Sequence, residues 1–396
     1  MVKSLKMFVS ESAIKKEIAT WSLKDCEDYL DKHKNDQKES SLMHKKISIV
    51  TNFFNAIKIA THTSGNDRKN ALKNIPLEFL IKNAPNENIK DPPNKKLKSY
   101  QKNTGIYLWS LGYNVKRFLG AGCSAVVWEC EGNKVMRVAC NNKYLGFIKI
   151  NNAATEIDDA ETIKNIIDSN PKNAHHLFNT KYIENNNKEK AIFETELSTH
   201  GDLEKFKSTK DYDNKIENIL QMATDSLKGL NVLHSNGYSH NDIKPDNILI
   251  TDKTKKDGTS RINLKISDFG TMTNINKTYT IFTNRKFRAP DFWKLRKEAV
   301  AKRDIYSLGC IFIGLLMEDN TFSQNYQKLA KDLVSIGSKN FFQKYLQNNY
   351  QNIGDNSKNN IILFLETIIK MVQPSYKNRI ETAKALENIK NIKKNL

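Results

Sequence analysis

Four polar side chains near the middle of the sequence have the types and spacing of a site for phosphoryl transfer. Asp242 and Asn247 lie five residues apart, and Asp268 follows Asp242 by 26 residues. A carboxylate such as Asp242 can orient an alcohol and accept its proton, and Lys244 can neutralise charge on a moving phosphoryl group. The side-chain oxygens of Asn247 and Asp268 are hard ligands of the kind that Mg²⁺ prefers. This combination predicts metal-assisted transfer of a phosphoryl group to a hydroxyl.

Two short strands are expected to hold these side chains in place. Residues 248–250 are apolar and follow Asn247 directly, whereas residues 262–266 alternate between apolar and polar before Asp268. Alternation with a period of two is typical of a strand with one buried face. We therefore predict two strands, separated by a lysine-rich turn, that join the loop of Asp242 to the second carboxylate.

The order of the predicted elements indicates an α+β fold. Short apolar strands are predicted over residues 115–119, 125–129, 134–140 and 191–194, and long helical patterns dominate after Asp213. Strands first and helices later favour a small sheet lobe followed by a large helical lobe.

The first 104 residues have a different character. Apolar residues at helical spacing predict short helices over residues 14–23 and 47–59, and basic residues outnumber acidic ones by 20 to 12. Residues 84–104 are polar, contain a Pro-Pro pair and are interpreted as a linker. We therefore divide the chain into a basic, mostly helical extension with a linker, residues 1–104, and a second domain, residues 105–396.

Composition and charge exclude several classes of protein. No apolar run reaches the roughly 18 residues that a membrane span needs, and the N-terminus lacks the apolar core of a signal peptide. Five cysteines without a C-x-x-C pair fit a reducing compartment, so we expect a soluble, cytoplasmic protein. The net charge of +19 suits an acidic partner or an acidic membrane surface. Lysine dominates over arginine and no nucleic-acid-binding motif is present, so specific nucleic-acid binding is not expected.

The central segment, His-Asn-Asp-Ile-Lys-Pro-Asp-Asn followed by Asp-Phe-Gly, resembles the catalytic loop and DFG motif of eukaryotic-type (Hanks-type) Ser/Thr protein kinases. The resemblance covers roughly residues 107–392 and implies a bilobal protein-kinase-like fold. It implies that Asp242 and Lys244 are catalytic, with Lys244 typical of the serine/threonine branch, and that Asn247 and Asp268 hold Mg²⁺. It also implies ATP as the phosphate donor and a protein as the acceptor.

A glycine-rich turn and a hinge-like segment extend the resemblance to a nucleotide site. Gly120 and Gly122 would let backbone N–H groups approach the phosphates. Thr195 aligns with the gatekeeper, residues 196–197 with the adenine contact, and Asp202 with the ribose contact. The residues expected to contact ATP or position it are Leu119, Gly120, Gly122, Val127, Val135, Arg137, Glu156, Thr195, Glu196, Leu197, Asp202 and Leu249.

Two departures from the family pattern concern the anchoring of ATP. Ala125 stands where the third glycine is usual, and Arg137 stands where the third strand normally carries a lysine. Arginine keeps the charge but prefers bidentate geometry. The carboxylate expected to pair with Arg137 is either Glu156, by its distance along the chain from Arg137, or Glu161, by its distance from Pro171.

Further departures concern regulation. Asn241 stands where kinases switched by phosphorylation have arginine, and a neutral amide cannot pair strongly with a phosphate. We therefore expect little dependence on activation-loop phosphorylation. The hydroxyl side chains of that loop are Thr278, Tyr279, Thr280 and Thr283. Later in the chain, Asp291 of an Ala-Pro-Asp sequence is expected to pair with Arg379, and Asp304 to brace the catalytic loop.

Alternative functions follow from the same residues. A pseudokinase scaffold that binds partners through its N-terminal region is favoured by Arg137 and Ala125, whereas the complete set of metal and acceptor residues favours an active protein kinase. A small-molecule kinase and nucleotidyl transfer to protein are further alternatives. The heavy use of Asn and Lys beside a compact kinase core resembles effector kinases that intracellular bacteria such as Legionella inject into the host cytosol. Large DNA viruses and A/T-rich protists are other sources of such composition.

Overall fold

The computed structural model divides the chain into two compact units. Unit 1 comprises residues 1–150 and 184–194, and unit 2 comprises residues 151–183 and 195–396. The residues that the structure describes are 10–34, 41–84, 97–121, 125–132, 134–140, 153–172, 174–183, 190–254, 258, 260–276, 285–292, 297–317 and 322–395. Within these ranges, no helix is both long enough and apolar enough to span a bilayer.

Six helices open unit 1. They are α1 (Glu11–Ile18), α2 (Leu23–Lys32), α3 (Ser41–His62), α4 (Gly65–Leu72), α5 (Leu77–Asn83) and α6 (Ser99–Ser110). Their starts follow from local chemistry; for example, Ser22 and Asp25 form a reciprocal capping box at α2. Their buried apolar residues include Ile18, Val50 and Phe79. The helix predicted over residues 47–59 is confirmed as the central part of α3.

An antiparallel sheet completes unit 1. Its strands are β1 (Val115–Ala121), β2 (Ala125–Cys130) and β3 (Lys134–Cys140), followed after β4 (Thr180–Ile183) of unit 2 by β5 (Lys190–Thr195). In unit 1 the strands are neighbours in the order β1-β2-β3-β5. Arg117 and Glu129 face each other across β1 and β2, with 2.5 Å between Nε and Oε2. The predicted strands of this sheet are therefore confirmed.

Helix α6 packs on this sheet. The indole Nε1 of Trp128 on β2 donates to Thr104 Oγ1 on α6 over 2.8 Å, and both side chains are almost fully buried. A second contact between the helices and the sheet region is made by the buried Arg68 of α4. Its Nη1 donates to Oδ1 of Asn114, the residue just before β1, over 3.0 Å. The end of the predicted linker, residues 99–104, is therefore helical, which corrects the linker interpretation. The polar first turn of α6 carries no apolar signal, and the helix is stabilised instead by burial of its second half.

Unit 2 is mostly helical. Its helices are α7 (Ala153–Ser169), α8 (Leu203–Lys207), α9 (Ile216–Ser235), α10 (Lys297–Leu316), α11 (Tyr326–Phe341), α12 (Asp355–Met371) and α13 (Thr382–Lys394). The run of apolar residues in α10 is fully buried, which makes α10 a core helix of unit 2. At Gly309 of α10 a Cβ atom would lie 2.6 Å from Val372 Cγ1, so only glycine allows this approach.

Two small two-stranded sheets position the central motif in unit 2. They are formed by β6 (Tyr238–Ser239) with β9 (Thr273–Asn274), and by β7 (Ile248–Thr254) with β8 (Ser260–Ile266). Both pairs are antiparallel. The two strands predicted on either side of the lysine-rich turn are thus confirmed as β7 and β8. The mixed composition, an antiparallel sheet in unit 1 and a helical unit 2, agrees with the predicted α+β fold.

Candidate active site

A buried carboxylate holds the loop between β6 and β7 in place by accepting hydrogen bonds from its backbone. Asp304 of α10 accepts the backbone N–H of His240 over 2.7 Å through Oδ2 and that of Asn241 over 2.8 Å through Oδ1. Burial opposes its charge, but hydrogen bonding from His234 and the nearby His240 keep the pKa of Asp304 below its ordinary value. The expectation that Asp304 braces this loop is confirmed.

Asp242 lies within this loop and is oriented by two donors. Lys244 Nζ lies 2.7 Å from its Oδ2, and Asn247 Nδ2 donates to its backbone oxygen over 2.8 Å and to Oδ2 over 3.2 Å. Burial disfavours the charged form of Lys244, but its bond to Asp242 and the charge of Asp268 raise its pKa above the ordinary value. Lys244 is therefore a fixed positive charge beside the Asp242 carboxylate throughout the neutral pH range.

Asn247 and Asp268 fit the chemistry of a magnesium site. The amide nitrogen of Asn247 bonds to Asp242, which leaves Oδ1 as the atom for a cation. Ser267 N donates to Asn247 O over 2.9 Å, and this bond ties the residue before Asp268 to the loop. Asp268 is exposed. In the described ranges no three His, Cys, Asp or Glu side chains could hold a metal together. One carboxylate and one amide oxygen suit Mg²⁺, which keeps water or phosphate as its other ligands.

The nucleotide residues predicted in unit 1 lie on its sheet. Gly120 pairs with Val127, and Val127 pairs with Arg137, so these three form a row across β1, β2 and β3. Val135 lies two residues from Arg137 and therefore shares its face of β3. The half-buried Arg137 side chain has Cζ 5.5 Å from the centroid of the Phe193 ring. Leu119 is also on β1, whereas Gly122 lies outside the described residues.

Glu196 is anchored through its side chain in unit 2. Its carboxylate forms a short ion pair with Lys265 on β8 and accepts the backbone N–H of Asn179 over 2.9 Å. The same carboxylate lines a cavity of about 570 Å³ together with Leu177 and Ile167. Thr195 Oγ1 donates to the backbone oxygen of Glu196 over 3.3 Å, and both Thr195 and Leu197 are half-buried.

Asp202 has a structural role that the sequence analysis missed. It is the N-cap of α8, where Oδ1 accepts Lys205 N over 2.8 Å and Oδ2 lies 2.5 Å from Lys205 Nζ. Asp202 also forms a backbone bridge with Leu249 of β7, so the structure brings these two predicted residues together. The sequence carried a signal for this role, because an aspartate directly before a short helix is a common N-cap.

Of the two carboxylates considered as partners of the arginine on β3, only one is buried. Glu156 is in the first turn of α7 and is buried, whereas Glu161 is exposed. Sequence reasoning missed Asp159, three residues after Glu156. Burial, reinforced by the charges of Glu156, Asp158 and Asp268, raises the pKa of Asp159 to about 7.

The side chain of Asn241 makes contacts that the sequence analysis did not foresee. Its Nδ2 donates to Thr271 O over 2.9 Å, to Thr273 Oγ1 over 3.0 Å and to Ser239 O over 3.1 Å. From the sequence alone, Asn241 could be interpreted only as the loss of a positive charge. No sequence signal announced the bonds to Thr271 and Thr273, because these two residues lie about 30 positions further along the chain.

The expected ion pair between Asp291 and Arg379 is confirmed. Arg379 Nη2 donates to Asp291 Oδ1, and Asp291 Oδ2 also accepts Tyr376 N over 2.6 Å. Both side chains are buried, and Arg379 completes its bonds with backbone carbonyls that include Gln373 O at 2.7 Å. This pair fixes the start of the last helical region to the segment before α10.

Comparisons with known proteins agree with this geometry. The family model described as protein kinase domain matches residues 113–389. The human dual specificity protein kinase CLK1 is 29% identical over 152 residues, which is 34% of this chain and 31% of that protein. The serine/threonine/tyrosine-protein kinase HT1 of Arabidopsis thaliana is 31% identical over 121 residues, 30% of this chain and 29% of that protein.

A third relative is the serine/threonine-protein kinase STE20 of Eremothecium gossypii, 38% identical over 102 residues, which is 25% of this chain and 10% of that protein. The chain thus spans less than a third of the length of each of these relatives. The family model, in contrast, covers most of the chain, from just before β1 to within α13. This chain belongs to the protein kinase family.

Proposed function

We propose that this chain transfers the γ-phosphate of ATP to serine or threonine hydroxyls of a protein, and that it does so without phosphorylation of its activation loop. The observation that carries the proposal is the arrangement of Asp242, Lys244 and Asn247, in which one carboxylate is aimed by two donors. A scaffold that only binds partners has no use for a carboxylate aimed in this way.

In the proposed reaction, Asp242 orients the acceptor hydroxyl and accepts its proton. Lys244, already charged and within 2.7 Å of Asp242, lowers the cost of negative charge on the transferred group. Asn247 and Asp268 would hold Mg²⁺, which when bound neutralises charge on the ATP phosphates. These four side chains therefore cover proton acceptance, charge neutralisation and metal binding.

The proposal assigns phosphate anchoring to Arg137 and support of that role to the buried Glu156. It assigns adenine recognition to the backbone at Glu196 and Leu197, whose orientation the bonds of the Glu196 side chain support. Arginine prefers bidentate contacts to oxygen atoms. We therefore expect the variant Arg137→Lys to change the affinity for ATP without raising the rate of phosphoryl transfer.

The direct test uses ATP labelled at either the γ or the α position, with Mg²⁺ and a generic protein substrate. The expected result is label from the γ position only, on phosphoserine and phosphothreonine, and loss of at least about 100-fold in rate for Asp242→Asn. Asp252→Ala is the control, since this exposed carboxylate lies on β7 away from the loop. Transfer of label from α-ATP, or phosphotyrosine as the main product, contradicts the proposal.

Independence from phosphorylation has its own test. We expect the combined change of Thr278, Tyr279, Thr280 and Thr283 to Ala to leave the rate within about threefold of the unmodified chain, because Asn241 offers no charge for a phosphate. Phosphatase treatment of the unmodified protein should likewise have no effect. A large loss of activity in a folded variant would show that a phosphorylated loop is needed.

A pseudokinase is the second candidate, and Arg137 is the observation that favours it. Its guanidinium lies against the Phe193 ring, a contact that competes with phosphates for the same charge. The two candidates differ in the labelling experiment, since a scaffold binds ATP tightly and transfers nothing. Titration with a fluorescent nucleotide therefore has to accompany the rate measurement.

We further propose a cytosolic location, in the producing cell or in a host cell that receives the protein. The buried thiols of Cys26, Cys130 and Cys310 support a reducing compartment. The basic extension is proposed to bind an acidic protein or an acidic membrane surface. Sedimentation with vesicles containing phosphatidylserine tests the membrane option, and binding that persists at high salt would contradict an electrostatic contact.

A further inference from the structure

The amide of Asn241 lies in a buried pocket of hydrogen-bond acceptors directly before Asp242. Its side chain is 5% exposed. Around Nδ2 lie the carbonyl oxygens of Ser239 and Thr271 and the hydroxyl of Thr273, all within 3.1 Å. Because carbonyl oxygens only accept hydrogen bonds, the NH₂ group must point at them. An aspartate at this position has no hydrogen to offer.

The backbone of Asn241 is also constrained. Its φ of 68° is in the left-handed region, which non-glycine residues rarely adopt and which asparagine tolerates better than most. Its N–H donates to Asp304 Oδ1 over 2.8 Å. Backbone and side chain are therefore both fixed, and the amide is a rigid bridge from the catalytic loop to the strand β9.

This bridge lies on one side of the proposed metal ligand Asp268. On the other side, Ser267 O is 2.8 Å from His240 Nε2, and Ser267 N bonds to the catalytic loop at Asn247. Thr271 is tied to the loop twice, by Asn241 and by its own Oγ1, which donates to His240 O over 2.8 Å. Asp268 is thus bracketed between two segments that are each bonded to the catalytic loop.

We infer that Asn241 is a positioning residue that holds Asp268 in register with Asn247 for metal binding. The bridge does, through a neutral amide, what other family members are expected to do with an arginine and a phosphate. This inference rests on the proposed function and explains why no phosphate would be needed.

The variant Asn241→Asp tests the inference because it keeps the shape and the tolerance of a positive φ but removes the donors. The measurement is the affinity of the nucleotide-bound protein for Mn²⁺, followed by electron paramagnetic resonance of free Mn²⁺. We expect affinity to fall about 10- to 100-fold, the usual effect of losing a residue that orients a metal ligand. An added negative charge alone would strengthen cation binding, so a loss reports displacement of Asp268.

Two further variants make the result decisive. Asn263→Asp is the matched control, because Asn263 is 2% exposed and its Nδ2 donates to a carbonyl, His175 O at 3.1 Å, away from the catalytic loop. It should lower the melting temperature and leave Mn²⁺ affinity unchanged. Asn241→Gly, which keeps the left-handed backbone without the amide, should lose affinity as Asn241→Asp does and serves if the latter does not fold.

The outcomes separate this inference from the proposed function. Equal Mn²⁺ affinity in the unmodified chain, Asn241→Asp and Asn241→Gly overturns the positioning role, as does an equal loss in Asn263→Asp. If the unmodified chain transfers no phosphate but Asn241→Asp and Asn241→Gly still weaken Mn²⁺ binding, the proposed function fails and the positioning role stands. In an active enzyme, the Mg²⁺ concentration for half-maximal rate should rise by the same factor.

Discussion

At the scale of single residues, an unusual titrating group of unit 2 is Asp159. It is partly buried on α7, with Glu156 on the same helix and the charge of Asp268 nearby. Each of these factors penalises the carboxylate, which explains why its pKa is raised from 3.8 to about 7. The folded chain therefore carries a proton that the unfolded chain has lost between about pH 4 and pH 7.

The first prediction follows from that sign. Because the folded state binds the extra proton, Asp159 makes stability fall as pH rises from about 4 to about 7. Asp159→Asn should raise the melting temperature at pH 8 by about 2–4 °C, after allowance for partial exposure, and have almost no effect at about pH 3.5, below the unfolded pKa. Glu161→Gln, which changes an exposed carboxylate on the same helix, is the matched control. Equal shifts at both pH values would refute the assignment.

The residues of the site also show which roles can be predicted from the sequence and which depend on distant contacts or on burial. Asp242, Lys244 and Asn247 could be identified because they lie within six positions of each other and their bonds are local. Asn241 could be read only as a missing charge, since its amide bonds to Thr271 and Thr273, about 30 residues away. The role of Asp159 depends on burial, which no local pattern specifies.

At the scale of elements, α6 is one of the helices of the extension that contact the sheet region of unit 1. The bond from Trp128 Nε1 to Thr104 Oγ1 is buried, and Thr104 Oγ1 in turn donates to Gln101 O over 2.7 Å. A buried indole N–H without an acceptor is costly, because it has lost its water as well as its partner. The side chain of Thr104 therefore couples the extension to the stability of unit 1.

The second prediction is that Thr104→Val, which has nearly the same shape, destabilises unit 1 by about 1–3 kcal/mol. Urea unfolding followed by tryptophan fluorescence provides the measurement, because three of the four tryptophans, Trp21, Trp109 and Trp128, belong to unit 1. Thr104→Ser keeps the hydroxyl acceptor and should lose clearly less. If serine and valine are equally destabilising, the packing of the methyl group and not the hydrogen bond is what matters.

Strands and helices could be predicted where the periodicity of apolar residues in the sequence was strong. The strands around residues 115–140 and 248–266 alternate or form short apolar runs, so their existence followed from periodicity. The first turn of α6 did not, because Ser99-Tyr100-Gln101-Lys102 is polar and follows a Pro-Pro pair. That turn is helical because the second half of the helix, including Leu108 and Trp109, buries itself in unit 1.

At the scale of the whole molecule, three buried cysteine thiols can be used to follow the unfolding of the two units. Cys26 on α2 and Cys130 on β2 belong to unit 1, and Cys310 on α10 belongs to unit 2. Burial raises the pKa of Cys26 to about 11 and those of Cys130 and Cys310 to about 12. At pH 8 almost none of these thiols is ionised in the folded chain, so they should resist alkylation.

The third prediction concerns how these thiols become reactive in urea. Because the extension and the sheet form one unit, Cys26 and Cys130 should be alkylated together over the same range of urea concentration. Cys310 reports unit 2 separately. Mass spectrometry of peptides after a short pulse of iodoacetamide measures each site. Alkylation of Cys26 at clearly lower urea than Cys130 would show that the extension unfolds on its own.

Arg137 on β3 has a practical consequence for the chemical labelling of this chain. Reagents that transfer an acyl group from a nucleotide to a protein need a nucleophilic amine beside the phosphates, which a lysine at this strand position supplies. A guanidinium stays protonated at any pH that a protein survives, and it is not a nucleophile. Arg137 would remain unmodified however tightly the nucleotide is held. A reagent of this kind would therefore leave β3 unlabelled, and the amine that the proposed mechanism places beside the transferred phosphoryl group is that of Lys244.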